Sequence, residues 1–181
     1  MVDTARTKAD LQANLFQDGQ VDGAITEQDM RDLIESMHLP MGTITIATPA
    51  ATTIAVQGTF VKAAGTTVLA PTAHKTTMPA NNRLQIDSGF DIGGTIIITA
   101  SFTCASNNQI ISFKAAVNGV VVDESEVNSK IGTGADVQAV PLSGTVSISD
   151  GDQVELWVTN KSGTASPTVE TMTLNFQGAF K

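Results

Sequence analysis

The chain has 181 residues, 41% of them hydrophobic and only 15% charged, and a formal charge of −8. That length supports one domain, with or without an extension, and a sizeable core. The acidic balance argues against an unaided grip on nucleic acid or anionic membrane, and one cysteine permits no disulfide framework within the chain.

Residues 1–40 differ from all that follow. Residues 1–25 are polar and carry four acids, so they do not read as a signal peptide, and no apolar run approaches the ~18 residues of a membrane span. A soluble protein made in a cytoplasm is the expectation. "TKADLQANLF" (7–16) opens with a Thr-x-x-Asp capping pattern and sets Leu11 and Leu15 one turn apart. "TEQDMRDLIESMHL" (26–39) repeats the device with Thr26 and Asp29. Its Met30, Leu33, Ile34 and Met37 fall at i, i+3, i+4 and i+7, a single apolar stripe that Pro40 and Gly42 terminate. Two such short helices are marginal alone in water. The stripe is therefore the candidate attachment face.

Between them lies "LFQDGQVDGAIT". Read as a calcium loop, its ligand positions are Asp18, Gln20, Asp22, Ala24, Thr26 and Asp29, with Gly23 and Ile25 where such a loop needs them. The third position is a neutral amide, the twelfth is Asp rather than Glu, and no second loop exists to pair with it. Thr26 and Asp29 also already have a capping task. A plain turn with no metal is the preferred reading, and a calcium-dependent, lectin-like binding module is a weaker alternative.

From Thr43 onward the period falls to two. "TITIAT", "TTIAVQ" (52–57), "RLQID" (83–87), "ISFKAAV" (111–117), "GTVSIS" (144–149), "QVELWV" (153–158) and "TMTLNF" (171–176) alternate. Turn signals at Asn107-Asn108, Asn118-Gly119, Asp150-Gly151 and 161–163 separate them. Two long runs, 93–104 and 108–122, flank a Ser-Asn-Asn turn and read as a central hairpin. Many short strands without intervening helices predict a mainly β chain, an antiparallel β-sandwich or jelly roll over residues 41–181, with a short helical segment at 1–40. There is no fixed-period repeat and no heptad.

Nothing in the chain assembles chemistry. His38 reads as a helix-end cation, His74 as an exposed loop residue, and Cys104 as a buried thiol. Asp123, Glu124 and Glu126 read as a solvated acidic edge, Asp150 and Asp152 as turn residues, and Trp157 as core or subunit contact. "GTGAD" and "GFDIGG" lack the helix a phosphate loop needs. No catalytic residue, cofactor or metal is expected, and the chain does not read as an enzyme.

The stretches "TTIAVQGTFVKAAGTT", "NNRL" before a strand, the "VNG" turn and "ISDGDQVELWVTN" feeding a last strand resemble a β domain of tailed-bacteriophage virion proteins. That domain is similar in layout to the trimeric jelly rolls of the complement and tumour-necrosis-factor superfamily. The resemblance covers about residues 44–177. "GAITEQDMRDLIESM" is also similar to short segments of phage fibres, with Met30 where Leu is usual. The resemblance implies a virion component made in a host cytoplasm: a capsid decoration or head-fibre protein, anchored by its N-terminus to the major capsid or another virion protein. A homotrimeric β knob would project outward. A tail-associated receptor-binding protein that contacts a host surface glycan is the alternative, although residues 40–44 leave no room for a shaft. Neither nucleic acid nor membrane is an expected partner.

Overall fold

Thr26 opens the described helix, α1 (Glu27–Met37), as the capping pattern requires. Its hydroxyl accepts from the Asp29 backbone N–H at 3.2 Å, while the Asp29 carboxylate accepts from the Thr26 N–H at 2.9 Å. The computed structural model describes residues 26–133 and 135–180. The expected first helix (7–16) and calcium-loop positions 18–25 lie outside the described residues.

Among the described residues twelve strands follow: β1 (Met41–Pro49), β2 (Val61–Lys62), β3 (Gly65–Leu69), β4 (Thr76–Ala80), β5 (Arg83–Ile86), β6 (Ile92–Cys104), β7 (Gln109–Val117), β8 (Val120–Val121), β9 (Val127–Ile131), β10 (Gln138–Ile148), β11 (Gln153–Asn160) and β12 (Pro167–Ala179). A 3-10 turn, Asp123–Ser125, precedes β9. One sheet runs β10-β6-β12-β1-β3. The other runs β4-β5-β11-β7-β8, with β2 on β11 beyond the end of β5 and β9 on β7 beyond the end of β8. All pairs are antiparallel, and the two sheets form a jelly-roll sandwich.

Alternation decides which side chains meet between the sheets. In β6, Ile92, Ile96, Ile98, Ala100, Phe102 and Cys104 face inward and are buried. Opposite them lie Leu84 and Ile86 of β5, Ile111, Phe113 and Ala115 of β7, and Val154, Leu156 and Val158 of β11. Phe102 and Phe113 fasten the two layers with ring centroids 4.8 Å apart. Cys104 is buried, as expected of a packing thiol.

Two expectations are corrected. The long runs do not form a hairpin, because β6 belongs to the five-stranded sheet and β7 to the other. The turn at 105–108 carries the chain across the core, and the Phe102 and Phe113 rings meet between the layers, tilted 57° to each other. The second run also breaks at Asn118-Gly119, both at positive φ (51° and 79°), where it folds back as β8. Residues 52–57 alternate but form no strand. They are a loop whose Ile54 is buried and whose Thr52 hydroxyl accepts from the Ala64 N–H at 2.9 Å.

Gly94 is fixed by packing. A Cβ there would lie 2.3 Å from two carbons of the Phe176 ring, itself fully buried. Gly94→Ala should destabilise the fold by roughly 1–3 kcal/mol through overpacking, measured as a shift of the urea midpoint with an unchanged slope.

Candidate interaction surfaces

Each sheet has a second face, and the two second faces differ in charge. On the seven-stranded sheet the outward row Lys62–Trp157–Lys114 is set by register, as is the pair Arg83 and Glu155. The Arg83 Nε donates to Glu155 Oε1 at 2.8 Å, and the Trp157 indole donates to Glu155 Oε2 at 2.7 Å, so the buried Glu155 carboxylate has a partner on each oxygen. Lys114 is nearly buried and sits over the Phe60 ring at 4.8 Å. Its ammonium donates to Asp123 at 2.7 Å and lies 3.1 Å from Glu126. Glu126 also accepts from the Ser112 hydroxyl at 2.8 Å and pairs with Lys161.

Of the acidic edge expected from the sequence, Asp123 and Glu124 are exposed as expected, and Glu126 is partly buried. Asp123 and Glu126 both pair with Lys114. The hydrogen bond from Lys161, then that from Ser112, hold the Glu126 carboxyl down to about 2, against a burial that works the other way. The hydrogen bond to Asp123 raises Lys114 above its ordinary value despite its burial. Asp150 and Asp152 keep their expected turn roles, accepting from the Gly89 and Ser149 N–H groups respectively at 2.8 Å.

The five-stranded sheet presents the opposite chemistry. Its outward rows read Ser143–Ile97–Asn175–Thr43, then Pro141–Thr99–Thr173–Thr45–Val68, then Thr145–Thr95–Gln177–Met41. These rows carry no charged side chain. The one acid in the five strands is Glu170, at a bulge in β12, where it accepts from the Thr103 hydroxyl at 2.7 Å. Ile97, Val68 and Met41 stand 40%, 49% and 49% exposed on this face.

The attachment stripe splits in the structure. Met30, Ile34 and Met37 are 47%, 53% and 62% exposed, Leu33 is half-buried, and Asp32 and Ser36 on another side of α1 are buried. The helix leaves the sandwich where β1 starts and β12 ends, since the Gly178 N–H donates to the Pro40 carbonyl at 2.9 Å. Its last turn is held by Lys75, whose ammonium donates to the carbonyls of Glu35 (2.6 Å) and His38 (2.9 Å). The cation expected from His38 at this helix end is thus supplied by Lys75, with His38 as the C-cap. Nor is His74 a free loop residue. It exchanges backbone hydrogen bonds with Met41 in an isolated bridge. Among the described residues no helix is long and apolar enough to cross a membrane.

No protein-family model matches the sequence, and no curated protein matches it. Solved structures do match by fold. The chain is similar to Eiger TNF from S. frugiperda with a TM-score of 0.54 and 7% identity, over 79% of this chain and 94% of that one. It is equally similar to murine APRIL at pH 5.0, with a TM-score of 0.54 and 7% identity over 78% and 100% of the two chains. At such identity the likeness is one of fold, and it agrees with the jelly roll seen here.

The Glu126 hub makes a pH-dependent contribution with a defined sign. Its folded-state value lies below the ordinary 4.5, so its stabilisation is complete above about 4.5 and is lost as pH falls toward about 2. Glu126→Gln should cost about 1–2 kcal/mol at neutral pH, discounted for the partly exposed Lys161. Denaturant melts of both proteins should converge as pH approaches 2.

Proposed function

We propose that the chain is a structural component of a bacteriophage virion, a capsid decoration or head-fibre protein with a homotrimeric β knob. The observation that carries the self-association is the outward face of the five-stranded sheet. Thr, Ser, Asn, Gln and Pro side chains with exposed Ile97 and Val68 neither hydrate as charges do nor resist close approach. Three copies packed through this face would cover it, leaving the ion-paired sheet outermost. The sequence resemblance to phage virion domains supports the virion setting.

Attachment falls to the helix. Met30, Ile34 and Met37, with Leu33 at their flank, project at the end of the sandwich where α1 joins β1. An amphipathic helix laid in an apolar groove of a capsid protein would bury them. The opposite end of the sandwich would then point away from the particle.

Antibody labelling of purified virions tests the placement. Label over the head supports it, label on the tail would replace it with a receptor-binding role, and unlabelled particles would refute both. Thr99→Lys with Thr173→Lys puts two charges in the central row of the uncharged face. The protein should keep its β circular dichroism yet sediment as a monomer, since burying unpaired charges costs several kcal/mol per subunit contact. Ile34→Asp with Met37→Asp alters exposed positions only. Trimer and melting temperature should survive, while affinity for particles lacking the protein falls on the order of a hundredfold, because three anchors fail together.

A further inference from the structure

A third cluster lies apart from both surfaces. Glu35 in the last turn of α1, His38 at its C-cap and His74 beside the start of β1 bring three ligand atoms within 4.8 Å of one another. His38 Nδ1 is 3.4 Å from Glu35 Oε2, and His74 Nε2 is 4.0 Å from Glu35 Oε1. The two imidazoles stand edge to face, 85° apart, with centroids 5.6 Å apart. The His74 Nε2 is buried and has no hydrogen-bond partner. A buried ring nitrogen left this way is costly unless something occupies the space it faces.

We propose that Glu35, His38 and His74 bind one divalent transition-metal ion, zinc foremost, which fastens α1 to the β-sandwich. Two imidazoles and a carboxylate are a borderline-soft set suited to zinc, with a fourth position open to water. In a tetrahedral site with bonds of ~2.0–2.1 Å, ligand atoms lie about 3.4 Å apart. His38 faces one oxygen of Glu35 and His74 the other, and the three ligand atoms, now within 4.8 Å of one another, must draw together by up to about 1.4 Å, a movement within reach of partly exposed side chains. His74 is anchored for the purpose, its N–H donating to the Met41 carbonyl at 2.8 Å and its carbonyl accepting from the Met41 N–H at 3.0 Å.

Lys75 shapes the site. Its ammonium is 3.3 Å from Glu35 Oε1 and is tied to two helix-end carbonyls, so it orients the carboxylate as an outer-shell partner does. The same positive charge weakens the grip on a cation, so micromolar rather than nanomolar affinity is expected.

The full chain, freed of metal by chelator, should be titrated with zinc chloride in a calorimeter and with cobalt chloride by visible absorption. One ion per chain, a cobalt d–d band and a melting temperature that rises with zinc are expected. His74→Gln should weaken zinc roughly tenfold or more, and His38→Ala with His74→Ala should abolish the cobalt band. Absence of zinc binding by the parent chain would overturn the proposal, as would a cobalt band that persists without both histidines. These readouts involve neither particles nor the trimer, so they stand apart from the proposed virion role.

Discussion

A two-layer β-sandwich buries one face of each sheet and must find a solution for the other. This chain solves the two outward faces in opposite ways, and the rest of its surface chemistry follows from that. The seven-stranded sheet is covered by its own chain. The Phe60 ring lies against the Lys114 ammonium, side chains from the 123–126 turn pair with Lys114 and Ser112, and Arg83 and Trp157 close on Glu155, so that all three are buried among partners. The five-stranded sheet receives no such cover. Its long, regular strands offer hydroxyls, amides and a few aliphatic groups to whatever lies beyond.

Charge shows the division most clearly. A chain with only 15% charged residues has few to place, and it places almost none on the five strands of one sheet. Single-copy solubility would be served by Lys or Glu at positions such as Thr99, Ile97 or Thr173, where the register leaves room for them. Short uncharged side chains instead permit close approach with little desolvation, which is the chemistry of a contact between subunits. The helix α1 repeats the theme at smaller scale, with Asp32 and Ser36 buried and Met30, Ile34 and Met37 exposed.

Much of this was legible in the sequence because it is local. The capping box of Thr26 and Asp29, the apolar stripe, the Asn118-Gly119 turn and the period-two strands each arise from neighbours within a few residues. What was not legible depends on closure of the fold. The turn at 105–108 is the same in a hairpin as in a crossing between sheets, and only the pairing of β6 with β10 and β12 distinguishes them. "TTIAVQ" alternates because Thr52 and Ile54 face the protein, yet the ladder it would need is absent. Strands of two residues such as Val61–Lys62 are too short to leave a periodic signal. Lys114 lies in the alternating "ISFKAAV", whose period carries no sign of its partners, and its three-way pairing required Asp123, Glu126 and Phe60 to arrive from elsewhere. The juxtaposition of His74 with Glu35 and His38 likewise spans almost forty residues and has no local signature.

The most direct test of the account is the mass of the unmodified full chain in solution. Light scattering across a dilution series into the micromolar range should give three times the 18.8 kDa of one chain, with no dissociation. A stable 18.8 kDa species at those concentrations would mean that the uncharged face of the five-stranded sheet is simply wetted, and would contradict the account.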